Sequence, residues 1–379
     1  MKVLVISGIW PPDVGGPASH APEVASFLRE RGHTVEVVTT ASVAPAQEAY
    51  DVRWVSRSLP AGVRHLSGAW LVRRRAARAD VVYTTGMFGR SALGSRLART
   101  PYVVKLTADP AHERARRLGL TIADVERFQG ERGGPRVGAF RAARNAELRS
   151  ATRILCPSAY LRELVLRWGI DPSSIEVLPN PLPRLPDLPT REEARRRLGI
   201  DGPTLVFAGR LTAQKALELA LEAVASTDEV SFVVAGEGDE RAQLERRAAD
   251  LGLDGRVRFL GPQPRERVLE LFRAGDALLL SSRWENFPHA VVEALAVGTP
   301  VLATVAGGVS EIVENERNGL LVPRGEPLDL AGAIKRFFGD AALRDSLRAA
   351  AAPSVVSYAP ERIYARLERV LADATSGRN

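Results

Sequence analysis

Short β-rich runs alternate with helical periodicity along the whole 379-residue chain, and no other feature limits its possible folds as much. VLVIS is followed by PASHAPEVASFLRERG and then TVEVVTT; DVVYTTG, PYVVKLT, TRILCPS and IEVLPN come later in the first half. Repetition of strand, helix, strand predicts parallel sheets covered on both faces, because a parallel neighbour is reached only by a crossover long enough to hold a helix. The proline-dense segment NPLPRLPDLPT, residues 180–190, can continue neither element and separates two halves. The pattern then resumes: TLVFAGRL, VSFVVAGEG, VRFLG, DALLLSS and PVLATVAGG read as strands, with helices such as QKALELALEAVA and DERAQLERRAADLG between them, the latter closed by Gly252.

The expected class is therefore α/β, with two doubly wound parallel-sheet domains, a division that suits a chain of this length. The reading places a first domain at 1–183, a linker at 184–200, a second domain at 201–355 and a final helical segment at 356–379, where YAPERIYARLERVLADA is amphipathic. Ligands of open parallel sheets sit beyond the carboxyl ends of the strands, so the loops after the strands are where chemistry is expected.

The bulk numbers exclude several classes. Cys156 is the one cysteine, in the apolar run RILCPS, which rules out internal disulfides and a cysteine-based metal site and suits a reducing, cytoplasmic setting. The start MKVLVISGIW reads as a first strand, without the small-residue cleavage pattern of an export signal. A net charge of +7, with clusters at Arg73-Arg74-Arg75-Arg78 and Arg114-Arg116-Arg117, permits peripheral attraction to an anionic membrane face. A solvated arginine-rich surface explains the same residues, and no aromatic residues interleave as a single-stranded nucleic-acid platform requires.

Four loops carry candidate chemistry. Gly15 and Gly16 precede a helix with Pro17 in its first turn, where free backbone N–H groups attract anions, although a glycine turn is also an ordinary helix start. Arg210 and Lys215, five residues apart after a second-half strand, suit a diphosphate if both point into one cleft and are surface cations otherwise. In SSRWENFPHAVVEALAVGTP the strand before Ser282 and Pro288 at a first helical position put Glu285 in a loop and Glu293 within the following helix. A diphosphate-sized span separates the two carboxylates, yet paired glutamates also occur on plain surface helices. Asp109, ahead of Pro110 in KLTADPAHERA, is placed to orient or deprotonate a hydroxyl or simply to make an Asp turn; His112 reads as a surface residue, with Glu113 beside it. No GxxxxGK[ST] loop, GxGxxG fingerprint or Asp-x-Asp pair is present, which counts against P-loop enzymes, nicotinamide oxidoreductases and metal-dependent nucleotide-sugar folds.

Taken together, GG at 15 and 16, GRLTAQK, VVAGEGDER, ENFPHAVVEALA with its glutamate-x7-glutamate spacing and GTPVLATVAGGVSEIVENERNGLLVP resemble the family 4 retaining glycosyltransferases of the two-domain GT-B fold. The resemblance implies transfer of a sugar from a nucleotide-diphosphate donor such as a UDP-sugar to a hydroxyl acceptor: a glycan, a lipid-linked glycan or a small natural product. It implies that Glu285 contacts the donor sugar and Glu293 the ribose, that Arg210 and Lys215 hold the diphosphate, and that Gly15 and Gly16 face the β-phosphate. Gly236, Gly261 and Pro262, with Asn286, Phe287, Pro288, His289 and Val292, complete the implied donor site. No cofactor or metal is expected, since fixed cations can neutralise the leaving group. Asp109 stands where many members carry a histidine. The alternative on the same residues is a non-catalytic nucleotide-sugar-binding protein.

Overall fold

The computed structural model describes residues 1–13, 16–46 and 48–376. The chain divides into two compact units, one of Met1–Pro179 with Glu361–Asn379 and one of Asn180–Pro360.

The first unit holds strands β1 (Lys2–Ser7), β2 (Thr34–Ala41), β3 (Asp51–Ser56), β4 (Val81–Thr84), β5 (Tyr102–Lys105), β6 (Arg153–Cys156) and β7 (Ile175–Val177). Its helices are α1 (Gly16–Glu30), α2 (Ala61–Ala76), α3 (Phe88–Ala98), α4 (Pro110–Arg117), α5 (Val125–Gly130), α6 (Pro135–Arg149) and α7 (Ala159–Arg167). The strands form one parallel sheet in the order β3-β2-β1-β4-β5-β6-β7. Chain direction across the sheet reverses at β1, so the loops after β1 and β4 flank a switch point.

The second unit begins with α8 (Arg191–Leu198) and continues through β8 (Thr204–Ala208), α9 (Leu217–Ala225), β9 (Ser231–Ala235), α10 (Arg241–Asp250), β10 (Val257–Gly261) and α11 (Arg265–Ala274). β11 (Ala277–Leu280), α12 (His289–Ala296), β12 (Val301–Thr304), β13 (Gly319–Val322), α13 (Pro327–Gly339) and α14 (Ala341–Ser354) complete it. The parallel order β10-β9-β8-β11-β12-β13 repeats the plan, with the switch point between β8 and β11. β8 after Thr204 and β11 are apolar, LVFA and ALLL, because a central strand covered on both faces has no wet side.

Two strands and two boundaries differ from the sequence reading. β3 and β13 were passed over; both are sheet edges, and β3 (DVRWVS) is half-exposed and carries charges that blur its alternation. The expected linker at 184–200 is partly helix α8, whose Thr190 and Glu193 form a reciprocal capping box and whose end is closed by Gly199 in the left-handed region. Ala194 and Ile200 are buried in the second unit's core, so that segment belongs to the domain. The final helix, α15 (Pro360–Ser376), joins the first unit, while Val356–Tyr358 forms a short 3-10 turn in the second, where the Leu182 amide donates to the Tyr358 carbonyl. Ile363, Leu367, Val370 and Leu371 repeat at helical spacing and pack into the cluster of Val24, Ala25 and Leu28. Among the described residues no helix is long and apolar enough to cross a membrane.

Candidate active site

The second unit's site is built at the carboxyl ends of β8 and β11, the two strands that flank its switch point. Leaving β8, the chain makes the turn Gly209-Arg210-Leu211, which is pinned to the turn leaving β9: the Gly209 amide donates to the Ala235 carbonyl and the Leu211 amide to that of Glu237. The two backbones run so close that a Cβ on Gly236 would lie 1.8 Å from the Gly209 carbonyl oxygen, and Gly236 itself sits at φ +146°. Only glycine fits there. The Gly236 amide then donates to the carbonyl of Gly261, at φ +70°, which binds the β10 edge to the same layer; Pro262 follows it, exposed.

The loop after β8 is also stitched to the loop after β11. Ser281 Oγ donates to the carbonyls of Lys215 and Ala216, the Arg283 amide donates to the Gln214 carbonyl, and the Gln214 side chain donates to the Trp284 carbonyl. Ala216, in the left-handed region at φ +47°, turns the chain into α9. These bonds aim Lys215 across at Glu285: Lys215 Nζ lies 2.5 Å from Glu285 Oε1, which also accepts from Ser282 Oγ at 2.6 Å. The Glu285 side chain is only 6% exposed, and Lys215 and Ser282 supply the hydrogen-bond partners that a buried carboxyl group needs. The Glu285 carbonyl accepts from the Gly308 amide, tying in the turn after β12. Arg210 is exposed and makes no ion pair among the described residues, leaving a free guanidinium on the same loop as Lys215.

Pro288 occupies the N-cap of α12, one place earlier than expected; the helix starts at His289, four residues, or about 6 Å of rise, before Glu293. Neither α9 nor α12 has a side-chain cap, so the first backbone N–H groups of two helices open beside Lys215 and Glu285. Glu293 is 13% exposed and bonded to Arg265 Nε at 3.1 Å; burial pushes its pKa up, and Arg265 offsets part of that rise. Arg265 also donates to the Arg184 carbonyl. His289 contacts the Asn180 amide at 3.2 Å, Phe287 stacks edge-on against His289 and Tyr358, Val292 is buried in the core, and Asn286 lies partly exposed between Glu285 and Phe287. Ser282, Gln214 and Arg265 are the members of this constellation that the sequence reading missed. A serine pair at a strand's end is the one signal that pointed to Ser282; Arg265 lies 28 residues from its partner and carries none.

The first-unit candidates have other surroundings. Gly15 lies outside the described residues, and Gly16 opens α1. Asp109 caps α4, its Oδ1 accepting from the amides of Ala111 and His112, and its Oδ2 accepts from Arg144 at 2.8 Å and from Gln129 at 3.0 Å. With the side chain 0% exposed, both oxygens serve the fold, which removes the ground for reading it as a base toward an acceptor. Arg144 is itself 4% exposed and stacked 3.7 Å from the Trp168 ring centre. His112, expected at the surface, is 3% exposed, bonded to the Ala123 carbonyl and packed against Phe128.

Two parallel-sheet α/β units of this kind are the architecture of the GT-B glycosyltransferases. The Anabaena protein HepE, solved in complex with UDP, superposes with a TM-score of 0.79 over 98% of this chain and 100% of its own, at 22% identity. Residues 190–353 match the model "Glycosyl transferases group 1" and residues 15–181 match "Glycosyl transferase 4-like domain". A D-inositol 3-phosphate glycosyltransferase of Geodermatophilus obscurus is 31% identical over 92% of this chain and 83% of its own length. An uncharacterised glycosyltransferase of Methanocaldococcus jannaschii is 27% identical over 91% of each. The chain therefore belongs to the family 4-like glycosyltransferases.

Proposed function

We propose that this glycosyltransferase takes its sugar from a uridine-diphosphate donor held by the second unit, without a metal ion and with retention of anomeric configuration. The observation that carries the reading is the Lys215–Glu285 pair at the β8–β11 switch point, with Arg210 unpaired on the same loop. HepE, which shares the fold, was solved with UDP and with UDP-glucose, which supports the choice of base.

Breaking the bond from the anomeric carbon to the diphosphate leaves negative charge on the phosphate. The uncapped starts of α9 and α12 answer that charge from fixed positions and lose little to reorganisation as it develops, and the side chains of Arg210 and Lys215 add their cations to it. Before the donor arrives, Glu285 keeps Lys215 paired; with the donor bound, its oxygens accept from sugar hydroxyls while Lys215 turns to the phosphate. Glu293 accepts from the ribose hydroxyls, and its raised pKa reflects a carboxylate whose water has been partly removed before binding. The acceptor is a hydroxyl compound met by the first unit. Retention rests on the resemblance of the ENFPHAVVEALA motif.

Calorimetric titration with UDP, GDP and dTDP in EDTA tests this directly. UDP is expected to bind, and Lys215→Ala and Glu293→Ala are each expected to weaken it by about ten-fold or more, the loss of a charged hydrogen bond. Failure of all three nucleotides to bind, or binding restored only by a divalent ion, would sink the reading. Proton spectroscopy of the transferred sugar settles the anomer.

A further inference from the structure

Arginines gather at the carboxyl edge of the first unit's sheet. Because every strand there is parallel, the opening turns of the helices that follow β3, β4 and β5 share that edge. Arg64 is in the first turn of α2, with His65 next to it; Arg90 is in the first turn of α3; Arg114 is in the second turn of α4. The Arg90 side chain lies across α2 one turn beyond Arg64, where a Cβ on Gly68 would be 2.8 Å from its Cδ and 3.3 Å from its Nη1. That Nη1 is buried and has no hydrogen-bond partner. Burial, and after it Arg90, Arg64 and Arg114, lower the pKa of His65; burial and then Arg64 lower that of Arg90.

The helices themselves worsen the repulsion. α2 and α3 have no acid in the first turn and no side-chain cap, so arginines stand at the positive ends of two helix dipoles, the opposite of the stabilising arrangement. Glu147 of α6 approaches the group: it lies over Gly89, where burial raises its pKa and Arg114 partly reverses the rise. None of the three guanidinium groups forms an ion pair among the described residues. By contrast Arg57, on the neighbouring loop, is satisfied by Asp13 and by the carbonyls of Gly8 and Thr40. Arg64 donates to the Arg57 carbonyl, which ties the cluster to the loop after β1. A fold gains nothing from concentrating unpaired cations and an orphaned buried donor in one place unless an anion completes it.

We infer that Arg64 and Arg90, with Arg114 at the rim, bind a phosphate monoester carried by the acceptor, so that the enzyme glycosylates a phosphorylated hydroxyl compound. The inference rests on the glycosyltransfer reading above and adds the acceptor's chemistry. Guanidinium forks match phosphate oxygens two at a time, and the Arg90 Nη1 has no hydrogen-bond partner to give up, so the side chain can swing out to a phosphate without losing a bond.

The test uses the full chain and two separate titrations. Inositol 3-phosphate and inorganic phosphate are expected to bind at least about ten-fold tighter than myo-inositol, and Arg64→Gln/Arg90→Gln is expected to erase that preference while UDP affinity stays unchanged. Arg90→Lys, which keeps the charge and loses the fork, should fall between. If the phosphate is a lipid headgroup, vesicles containing phosphatidylinositol phosphate will retain the protein and free inositol phosphate will release it. A soluble acceptor leaves such vesicles unbound while phosphate still binds. The inference is overturned if UDP binds normally but phosphorylated and plain inositol bind alike, or if the double variant keeps the preference. Loss of UDP binding in the unaltered protein would instead remove the glycosyltransfer reading, and this one with it.

Discussion

A carboxylate at the end of a parallel strand has two common uses, to act on a ligand or to hold the next helix in place. Asp109 does the second, because a proline follows it, two amides fall on Oδ1, and Arg144 and Gln129 fill Oδ2. Removing one partner of a buried ion pair leaves the other charge unpaired in a dry site, which costs about 3–5 kcal/mol. Asp109→Ala is therefore expected to lower the stability of the first unit by that order, measured by denaturant unfolding, and to leave UDP binding by the second unit intact. Asp109→Leu with Arg144→Met should recover much of the loss, since the apolar pair leaves no charge behind. A variant that kept full stability but lost only turnover would return Asp109 to the chemistry. KLTADPAHERA leaves the Asp turn open as a reading but cannot decide for it, because the decisive partner, Arg144, lies 35 residues further on and reaches Asp109 only through the packing of α6 on α4. Glu285 was legible by contrast: its position follows from a strand end and a proline that lie within the same few residues.

At the scale of elements, the second unit's site depends on how closely three loops approach. Gly236→Ala would drive a methyl group into the Gly209 carbonyl, an overlap that only backbone movement relieves, and would hold a non-glycine residue at φ +146°, a conformation that by itself costs about 1–3 kcal/mol. Relaxation would move Gly209 and with it the course of Arg210 and Lys215. The expected result is a modest fall in melting temperature with a disproportionate loss of UDP affinity, whereas a fall in stability alone would show that the turn after β8 moves independently. Central elements such as β8, β11 and α10 could be read from sequence because burial on both faces, or one apolar stripe, repeats within a few residues. The edges β3 and β13 could not, since a half-exposed strand carries charges like any loop. α8 was obscured differently: its capping residues were visible in TREEARRRLG, but the prolines ahead of it drew the boundary too late.

For the whole molecule, the point at which the chain leaves its first unit is tied down from inside. Lys105, at the end of β5 and 1% exposed, donates from Nζ to the carbonyls of Leu178 and Pro179, the last residues before the second unit begins. Burial lowers its pKa from 10.5 to about 7, while the Cys156 thiol beside it is pushed up to about 12, so both are held toward their neutral forms. The sign of the pH dependence follows from where the proton resides. Between about 7 and 10.5 the unfolded chain binds a proton at Lys105 that the folded chain does not, so stability from this group rises with pH across that window. Below it both states are charged, and the cost of burying the ammonium is constant. The stability of the unaltered protein relative to Lys105→Met is therefore expected to increase from pH 7 toward pH 10, by at most about 1.4 kcal/mol per unit, in the unfolding transition of the first unit. A difference that stayed flat with pH would mean that Lys105 remains an ammonium in the fold. The two carbonyls would then be held by a full charge, and the end of the first unit would be anchored more firmly than a neutral amine allows.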